Sequence, residues 1–524
     1  MERRVLEVLL LLLATLSSVT RCQKSKYEVL RILPSNVSQL SHLTQLFQTA
    51  TDDGLDFWTV PRGINISVDI MVPPHLRNAV HKSFKSQGLH FFPLIPDVEK
   101  AIENSTSKKS PLLRFRRSMS PVHFDFHRYH DYESIMNYID SVHRMYPEIT
   151  ELIHIGWSHE GRNLLVLKIG KDSSPAPRSN KKPGIWVDGG IHAREWPSPH
   201  VALYFIHQLT SNFGKDPYTT HLVGQLNWYI APLINPDGYI FSRSDRHPKV
   251  RLWRKNRSPR KCYQDKRFHS YVEYCCRGVD LNRNFDHYFR DPLEFLRASR
   301  QACNPNYAGE SAFSEPESKA MSDFLLDPQY NVFAFISLHT YGQIVIHPFG
   351  HRKRFYPKDI QELLKVGSEA ATALYQKYHT QYSIGSTADV LYLASGTAVD
   401  WAKSKAKIKF TFLLEMRPDR ETITDILSGT GGFLMDEAQL LPIAEETWEA
   451  MKVIAEGLLH HQNLPPPPPP SVQQQQNIPP PPHLPPPSVP QIQLPPHFAA
   501  IAGRSTLFLT PHRSTNSRRS KSIS

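Results

Sequence analysis

The segment Asp188-Gly-Gly-Ile-His-Ala-Arg-Glu-Trp196 is the most informative part of the sequence, because it joins an apolar run to a cluster of polar side chains. The apolar residues 184–187 predict a strand, and the glycines after it predict a turn at the edge of a sheet. His192 and Glu195 follow that turn at a spacing that lets both reach one metal ion. Zinc in hydrolytic enzymes takes three protein ligands and leaves a fourth position to water, so a third ligand is needed. His339, at the end of another apolar run, is the candidate, although many histidines at strand ends bind no metal.

The N-terminus of the 524-residue chain has the features of a secretory signal peptide. Charged residues at positions 1–4 precede a leucine-rich run over 5–16 and the small residues Ser17 and Ser18. This run is shorter than the roughly 20 apolar residues that span a bilayer, and no later stretch approaches that length. We therefore expect removal of residues 1–22, and a secreted, extracellular protein without an integral membrane segment.

The composition indicates several folded domains and a basic tail. A hydrophobic content of 40% is enough for a large core, and the length suggests roughly two to four domains. The net charge of +12 is spread along the chain, and secretion argues against nucleic-acid binding. Residues 464–524 contain proline and glutamine runs and no acidic residue, so we expect a disordered tail. The tail is suited to binding acidic polymers or membrane surfaces and equally to being a solvated spacer, so its partner stays unknown.

Residues 23–117 are expected to form a separate domain with an activation segment at its end. Short alternating segments and helical stretches between 27 and 103 follow the order of a ferredoxin-like α+β sandwich. The basic run Arg114-Phe-Arg-Arg117 is either a solvated linker or a site for a processing protease, and its place at a domain boundary favours cleavage at Arg117. Three glycosylation sequons mark this part as exposed surface, at Asn36, Asn65 and Asn104.

Residues 118–463 show strands that alternate with helices, which indicates one α/β domain. Ser198 followed by Pro199 predicts the N-cap of a helix directly behind the metal loop. Ser314-Glu-Pro-Glu317 has the form of a capping box and predicts another helix start. The metal loop is thus expected between a buried strand and a helix.

Seven motifs resemble, in order and approximate spacing, those of the A/B-type zinc metallocarboxypeptidases. They are Gly190-Ile-His-Ala-Arg-Glu-Trp196, Asn235-Pro-Asp-Gly-Tyr239, Arg251-Leu-Trp-Arg-Lys-Asn-Arg257, Gly278-Val-Asp-Leu-Asn-Arg-Asn284, Ser337-Leu-His-Thr-Tyr341, Leu391-Tyr-Leu-Ala-Ser-Gly396 and Phe412-Leu-Leu-Glu-Met-Arg417. The resemblance covers roughly residues 27–460, and Leu55-Asp-Phe-Trp58 is similar to the family's pro-domain. It implies an α/β fold with a mixed eight-stranded sheet flanked by helices, preceded by a ferredoxin-like α+β pro-domain and followed by the disordered proline-rich tail.

The resemblance implies that one zinc ion per chain is bound by His192, Glu195 and His339. Asp280 matches the carboxylate that accepts the other ring N–H of the first ligand histidine, although an aspartate after a glycine can also simply cap a turn. Glu415 matches the general base that takes a proton from water and passes it to the leaving amine.

Polar residues of the same motifs are implied to bind the charged parts of the substrate, a peptide or protein C-terminus. Arg254 matches the arginine that stabilises the oxyanion. The group that grips the terminal carboxylate is matched by Asn282, Arg283 and Tyr392. Further anion contacts in the same cleft are expected from Arg194 and Arg251.

Val399, one residue before Asp400-Trp401, matches the floor of the family's specificity pocket. An acidic residue there selects Lys or Arg in the family, and an apolar residue selects apolar or aromatic side chains. We therefore expect cleavage of C-terminal Phe, Leu, Tyr or Met. Other wall positions are matched by Ile346, Gly350, Leu391, Ala394 and Thr387, and a carboxylate entering the pocket from nearby Asp389 would reverse the preference.

Four cysteines remain if Cys22 is removed with the signal peptide, an even set that suits disulfides in an oxidising compartment. The resemblance implies the pair Cys276–Cys303. Cys262 and Cys275 are then a plausible second pair, because adjacent cysteines seldom bridge each other. A sequon at Asn256 lies near Arg254, where a glycan would crowd the cleft.

Two functions of different class follow from this sequence. The first is a secreted zinc carboxypeptidase made as a zymogen. The alternative is a catalytically silent extracellular protein that binds peptides or matrix on a carboxypeptidase fold. Such relatives usually lose a zinc ligand or the general base, and here both sets are complete, which favours the enzyme.

Overall fold

A computed structural model describes residues 26–51, 54–107, 124–171, 181–267, 270–290, 299–420 and 431–469. The expected signal peptide, the cleavage site at Arg117 and the tail from residue 470 onward lie outside the described residues. Within the described ranges, no helix combines the length and the apolar character needed to cross a membrane.

The N-terminal domain is the ferredoxin-like sandwich that the sequence predicts. Its elements are β1 (Glu28–Leu33), α1 (Val37–Gln48), β2 (Asp56–Phe57), β3 (Val68–Val72), α2 (Arg77–Ser86), β4 (His90–Ile95) and α3 (Val98–Ser107). The strands form an antiparallel sheet in the order β2-β3-β1-β4. Fully buried Leu30 and Ile70 of the sheet belong to the same core cluster as Leu43 of α1 and Phe84 of α2. Burial of such side chains, each about 1.5–3 kcal/mol, stabilises this small domain.

The larger domain contains an eight-stranded mixed sheet flanked by helices. Its first half contains α4 (Tyr132–Met145), β5 (Thr150–Trp157), β6 (Asn163–Ile169), β7 (Gly184–Asp188), α5 (Pro197–Ser211), α6 (Pro217–Gln225), β8 (Asn227–Ala231), α7 (Pro236–Ser244), α8 (Pro248–Arg251), β9 (Lys261–Arg267) and β10 (Ser270–Cys276). Its second half contains α9 (Pro316–Leu326), β11 (Val332–Thr340), β12 (Ile344–His347), α10 (Ile360–Tyr378), β13 (Ser383–Ser386), α11 (Ala398–Ser404), β14 (Phe410–Met416) and α12 (Leu440–His461). The strand order is β13-β12-β14-β11-β7-β8-β6-β5, and β9 and β10 form a separate hairpin.

The centre of the large sheet positions the site. Strands β7, β11 and β14 are parallel neighbours, so their carboxyl ends meet at one edge of the sheet. Ser337 of β11 lies opposite Asp188 of β7, and His339 lies opposite Glu415 of β14. Ligands of α/β proteins bind in the crevice outside these carboxyl ends.

Both predicted helix caps are wrong, because each serine hydroxyl bonds to groups in the loop before its helix. Helix α5 begins at Pro197 without a side-chain cap, while the hydroxyl of Ser198 donates to the carbonyl of Glu195 at 2.8 Å and accepts from Gly190 at 3.0 Å. Helix α9 begins at Pro316, also without a side-chain cap, and the hydroxyl of Ser314 donates to Glu315 at 2.7 Å. In the first case the serine holds the metal loop closed.

Candidate metal centre and active site

Three predicted metal ligands converge at the carboxyl edge of the sheet. Nδ1 of His192 lies 2.7 Å from Oε1 of Glu195 and 3.2 Å from Nδ1 of His339. Nδ1 of His339 lies 3.0 Å from Oε2 of Glu195. All three side chains are buried. The turn at Gly190, with φ of +66°, lets His192 and Glu195 leave β7 and fold back toward β11.

This donor set fits a zinc ion. With Zn–N bonds of about 2.0–2.1 Å at tetrahedral angles, two ligand atoms lie about 3.3 Å apart, close to the separation of the two Nδ1 atoms. Burial and the nearby Arg254 lower the pKa of His192, which favours the neutral imidazole that binds metal. Burial lowers the pKa of His339, but Glu195 outweighs it and raises that pKa.

Asp280 joins the metal site to Arg254. Its Oδ1 lies 3.2 Å from Nε2 of His192, and its Oδ2 accepts from Nε and one terminal nitrogen of Arg254 at 3.0 and 2.8 Å. Burial opposes ionisation of Asp280, but Arg254 and Arg283 outweigh it and hold the pKa of this carboxyl well below its usual range. A carboxylate that stays charged fixes both the tautomer of His192 and the position of the guanidinium.

Glu415 lies beside His339 in the register of the parallel strands β11 and β14. Burial raises the pKa of Glu415 to about 7; His339 opposes this shift and Glu195 adds to it. A bound cation nearby would lower this pKa, because it favours the charged carboxylate. A carboxyl group with a pKa near neutrality can both accept and release a proton.

The predicted carboxylate-binding group forms one cluster. A terminal nitrogen of Arg283 donates to the hydroxyl of Tyr392 at 3.0 Å, and the other donates to the carbonyl of Asn282 at 2.7 Å. The buried Nε of Arg283 has no hydrogen-bond partner among the described residues. The Asn282 side-chain oxygen accepts from the backbone of Ala398 at 2.9 Å, which ties this cluster to α11.

Arg194 and Arg251 differ from the expectation that both line the cleft. Arg251 is 1% exposed, lies 3.5 Å above the ring of Trp196 and donates to the carbonyls of Arg194 and Phe433, each at 3.0 Å. Burial lowers the pKa of Arg251 to about 9. It therefore supports the cleft from beneath, whereas Arg194 lies on the cleft wall.

The N-terminal domain covers the cleft and contributes its partner for Arg194. Asp56 of β2 accepts from Arg194 at 2.8 Å, and Trp58 packs edge-on against Phe433 with ring centres 5.3 Å apart. The space over the site is lined by Phe47, Phe57, Trp58 and Val60 of this domain and by Glu195, Arg254, Tyr392 and Glu415 of the larger one.

The predicted walls of the specificity pocket are buried. Val399, Ile346, Leu391 and Ala394 are at most 4% exposed. Asp389 is exposed, and its carboxylate accepts from the hydroxyl of Ser386 at 2.7 Å and from the backbone of Arg354 at 3.1 Å. That carboxylate is thus used in a cap outside the buried walls.

The structure contains both predicted disulfides and buries the sequon asparagine Asn256. Both disulfides, Cys276–Cys303 and Cys262–Cys275, are present. Asn256 is fully buried, and its amide nitrogen donates to Glu315 at 2.7 Å and to Glu317 at 3.0 Å. A glycan cannot be attached there in the folded chain, so the cleft is not crowded by one.

Sequence reasoning missed the support of the third ligand. The hydroxyl of Ser337 donates to Asp188 at 2.7 Å and lies 3.1 Å from Nε2 of His339. Burial raises the pKa of Asp188 to about 6. The signal in the sequence that could have indicated this support is Asp188, the aspartate at the end of β7.

Fold and site together define an α/β enzyme with a zinc-type ligand set beneath a covering domain. The family model described as zinc carboxypeptidase matches residues 135–450, and the model described as carboxypeptidase activation peptide matches residues 30–105. The chain therefore belongs to the zinc carboxypeptidase family. It is a metallocarboxypeptidase with an activation peptide, which makes the described form a zymogen.

Known proteins are similar along almost their whole length. Carboxypeptidase A2 of Rattus norvegicus is 34% identical over 455 residues, which cover 86% of this chain and 99% of that protein. Carboxypeptidase A1 of Homo sapiens is 33% identical over 436 residues, which cover 83% and 94%. The crystal structure of thrombin activatable fibrinolysis inhibitor is 30% identical, with a TM-score of 0.67 over 83% of this chain and 99% of that one.

Proposed function

We propose that this chain is a secreted, extracellular carboxypeptidase that holds one zinc ion at its active site and removes apolar or aromatic residues from peptide C-termini once it is cleaved at Arg117. The observation that carries the proposal is the convergence of His192, Glu195 and His339 beside Glu415 at the carboxyl edge of the sheet. The sequence features that support secretion are the charged and apolar segments of residues 1–22.

Substrate binding begins at Arg283. Its guanidinium, already oriented by Tyr392 and the carbonyl of Asn282, is free on the Nε side to pair with the terminal carboxylate of a peptide. A carboxylate fixed there sets the register, so that only the last peptide bond reaches the catalytic residues. This is the physical basis of exopeptidase action.

Glu415 is the residue that transfers the proton in this proposal. When bound, zinc polarises the scissile carbonyl and acidifies water. The carboxylate of Glu415 takes the proton of the attacking water and delivers it to the nitrogen of the leaving residue. Arg254, held by Asp280, supplies fixed N–H donors to the negative charge that develops on the carbonyl oxygen.

The floor of the pocket determines which residue leaves. An ammonium or guanidinium against the walls formed by Val399 and Ile346 loses hydration without gaining a partner, at a cost of a few kcal/mol. An apolar side chain gains about 1.5–3 kcal/mol from burial. The processed enzyme should therefore prefer Phe to Arg at the C-terminus.

Two blocked dipeptides that differ only in terminal Phe or Arg test the preference. We expect kcat/KM for Phe to exceed that for Arg by at least about tenfold, and Val399→Asp to reverse the order. Leu441→Asp, a half-buried position on the far helix α12, is the matched control for the added charge. Faster release of Arg by the wild type would show that Val399 does not form the floor.

A further inference from the structure

A second cluster of metal-binding side chains lies next to the pocket floor. His287, His351 and Asp400 each present a ligand atom, and these atoms lie within 4.8 Å of one another. All three residues are buried, and Asp400 completely so. They come from three separate segments of the chain. His287 follows the short helix Leu281–Arg283, His351 follows β12, and Asp400 lies in α11. None of these three side chains has a role in the catalysis proposed above.

The two histidines already have the geometry of ligands. Nε2 of His287 lies 3.2 Å from Nδ1 of His351, close to the separation of about 3.3 Å expected for two nitrogens on one tetrahedral zinc ion. The hydroxyl of Ser404 lies 2.7 Å from Nδ1 of His287. When that hydroxyl accepts the proton of Nδ1, the lone pair of Nε2 is directed toward His351, which is how protein groups outside the metal shell orient ligand histidines.

Asp400 supplies the second, independent observation. One of its oxygens accepts from the backbone of Gly350 at 2.8 Å, while the buried Oδ1 has no hydrogen-bond partner among the described residues. A buried carboxylate with an unpaired oxygen is costly, and a cation beside it offsets that cost.

We propose that His287, His351 and Asp400 form a second metal site, separate from the one at His192, for a divalent transition metal of the zinc type. Two imidazoles and one carboxylate suit zinc, nickel or copper, whereas magnesium and calcium prefer oxygen ligands alone. The site lies beneath Tyr288, which is 50% exposed and stacks on His351 with ring centres 3.9 Å apart, so the path to solvent is one side chain deep.

Such an ion ties the pocket walls together. Asp400 follows Val399 in α11 and holds the backbone of Gly350, two positions assigned to the specificity pocket. An ion shared by Asp400 and His351 links α11 to the segment after β12. It therefore makes the pocket more rigid without contact with the scissile bond.

Metal content tests the proposal directly. The full chain is equilibrated with zinc, desalted and measured by elemental mass spectrometry; the wild type should hold about two ions per chain, and His287→Asn or Asp400→Asn about one. His347→Asn is the matched control, because His347 is buried in the neighbouring segment and its ring contacts the carbonyl of Pro348. This control should keep both ions.

A further variant separates the two sites. Glu195→Gln removes a ligand of the first site only, so it should retain one ion that depends on His287. Circular dichroism checks that each variant is folded, and the wild-type stoichiometry stands even if one variant is not. A single ion in the wild type that is lost in Glu195→Gln would overturn the second site and leave the first intact. Two ions that persist in folded His287→Asn and Asp400→Asn would overturn it as well, and the ring contact would then be a plain hydrogen bond.

Discussion

At the scale of single residues, Asp280 has two partners, the proposed metal ligand His192 and the proposed oxyanion donor Arg254. One of its oxygens faces Nε2 of His192, and the other accepts two N–H groups of Arg254. The same residue therefore orients a metal ligand and a cationic side chain. Neither orientation depends on substrate, so the site is organised before a peptide arrives.

Replacing Arg283 should weaken recognition of the terminal carboxylate of the substrate. Arg283→Gln removes the charge that pairs with the terminal carboxylate, so kcat/KM for a blocked Phe peptide should fall by about a hundredfold or more. The same variant should no longer discriminate between the free acid and its carboxamide, which is measured with the two peptides side by side. Arg257→Gln is the matched control, since Arg257 stacks on Phe241 at 3.7 Å. Unchanged discrimination in Arg283→Gln would place the carboxylate elsewhere.

At the scale of elements, the sequence predicted best where local pattern and burial agree. The apolar runs of β7 and β11 are visible in the sequence, and the ligands follow from where these strands end. The caps predicted at Ser198 and Ser314 were wrong, because the helices begin at Pro197 and Pro316, with proline at the first helical position. Local capping rules locate a helix start only to within one or two residues.

Contacts between distant segments explain two further features that the sequence did not predict. The sequence shows that Arg251 is a cation, but only the packing of α8 against Trp196 shows that its side chain is buried. The pairing of Asp188 with Ser337 joins strands that are about 150 residues apart in the chain. The family resemblance could indicate the ligands, because each of them lies within one of the seven motifs.

Helix α9 gives a prediction about pH. Glu317 in its first turn is fully buried, and burial raises its pKa to about 7. The stability that the protonated form contributes is complete below the ordinary carboxyl pKa of about 4.5 and is lost as the pH rises through 7. Glu317→Gln cannot ionise, so its melting temperature relative to the wild type should rise by a few degrees from pH 5 to pH 8.

An exposed carboxylate gives the control for this measurement. Glu310 pairs with Lys261 at 2.9 Å, and its side chain is 66% exposed. Glu310→Gln should show no such relative rise in melting temperature. If the melting temperature of Glu317→Gln relative to the wild type instead stays constant between pH 5 and pH 8, the buried carboxyl is ionised in the folded chain at both values and the prediction is wrong.

At the scale of the whole molecule, the N-terminal domain and the cleft act as one unit. Arg194 is 4% exposed and its guanidinium lies 3.9 Å above the ring of Phe433, while Asp56 of the covering domain accepts its N–H. Arg31 of β1 also donates to the carbonyl of Arg420 in the larger domain. The cover is thus held by polar contacts as well as by Trp58.

The uncleaved chain should show higher residual peptidase activity when the ion pair between Arg194 and Asp56 is lost. Asp56→Ala leaves Arg194 without its partner, at a cost of about 1–3 kcal/mol, so activity of the uncleaved zymogen on a small peptide should rise by about tenfold. Asp97→Ala is the matched control, because Asp97 pairs with Lys26 inside the covering domain. Equal activity of the two uncleaved variants would show that this pair does not hold the cover.

We propose that the cleaved chain hydrolyses peptides at a zinc-bound site with Glu415 as the proton acceptor. The most direct measurement is the release of C-terminal Phe by the form that begins near Ser118, made for wild type and Glu415→Gln together with their zinc content. We predict about one zinc at the His192 site in each protein, and a kcat at least about a thousandfold lower in Glu415→Gln. A zinc-loaded wild type that releases no residue from any blocked peptide, or a zinc-loaded Glu415→Gln that matches it, would contradict the account.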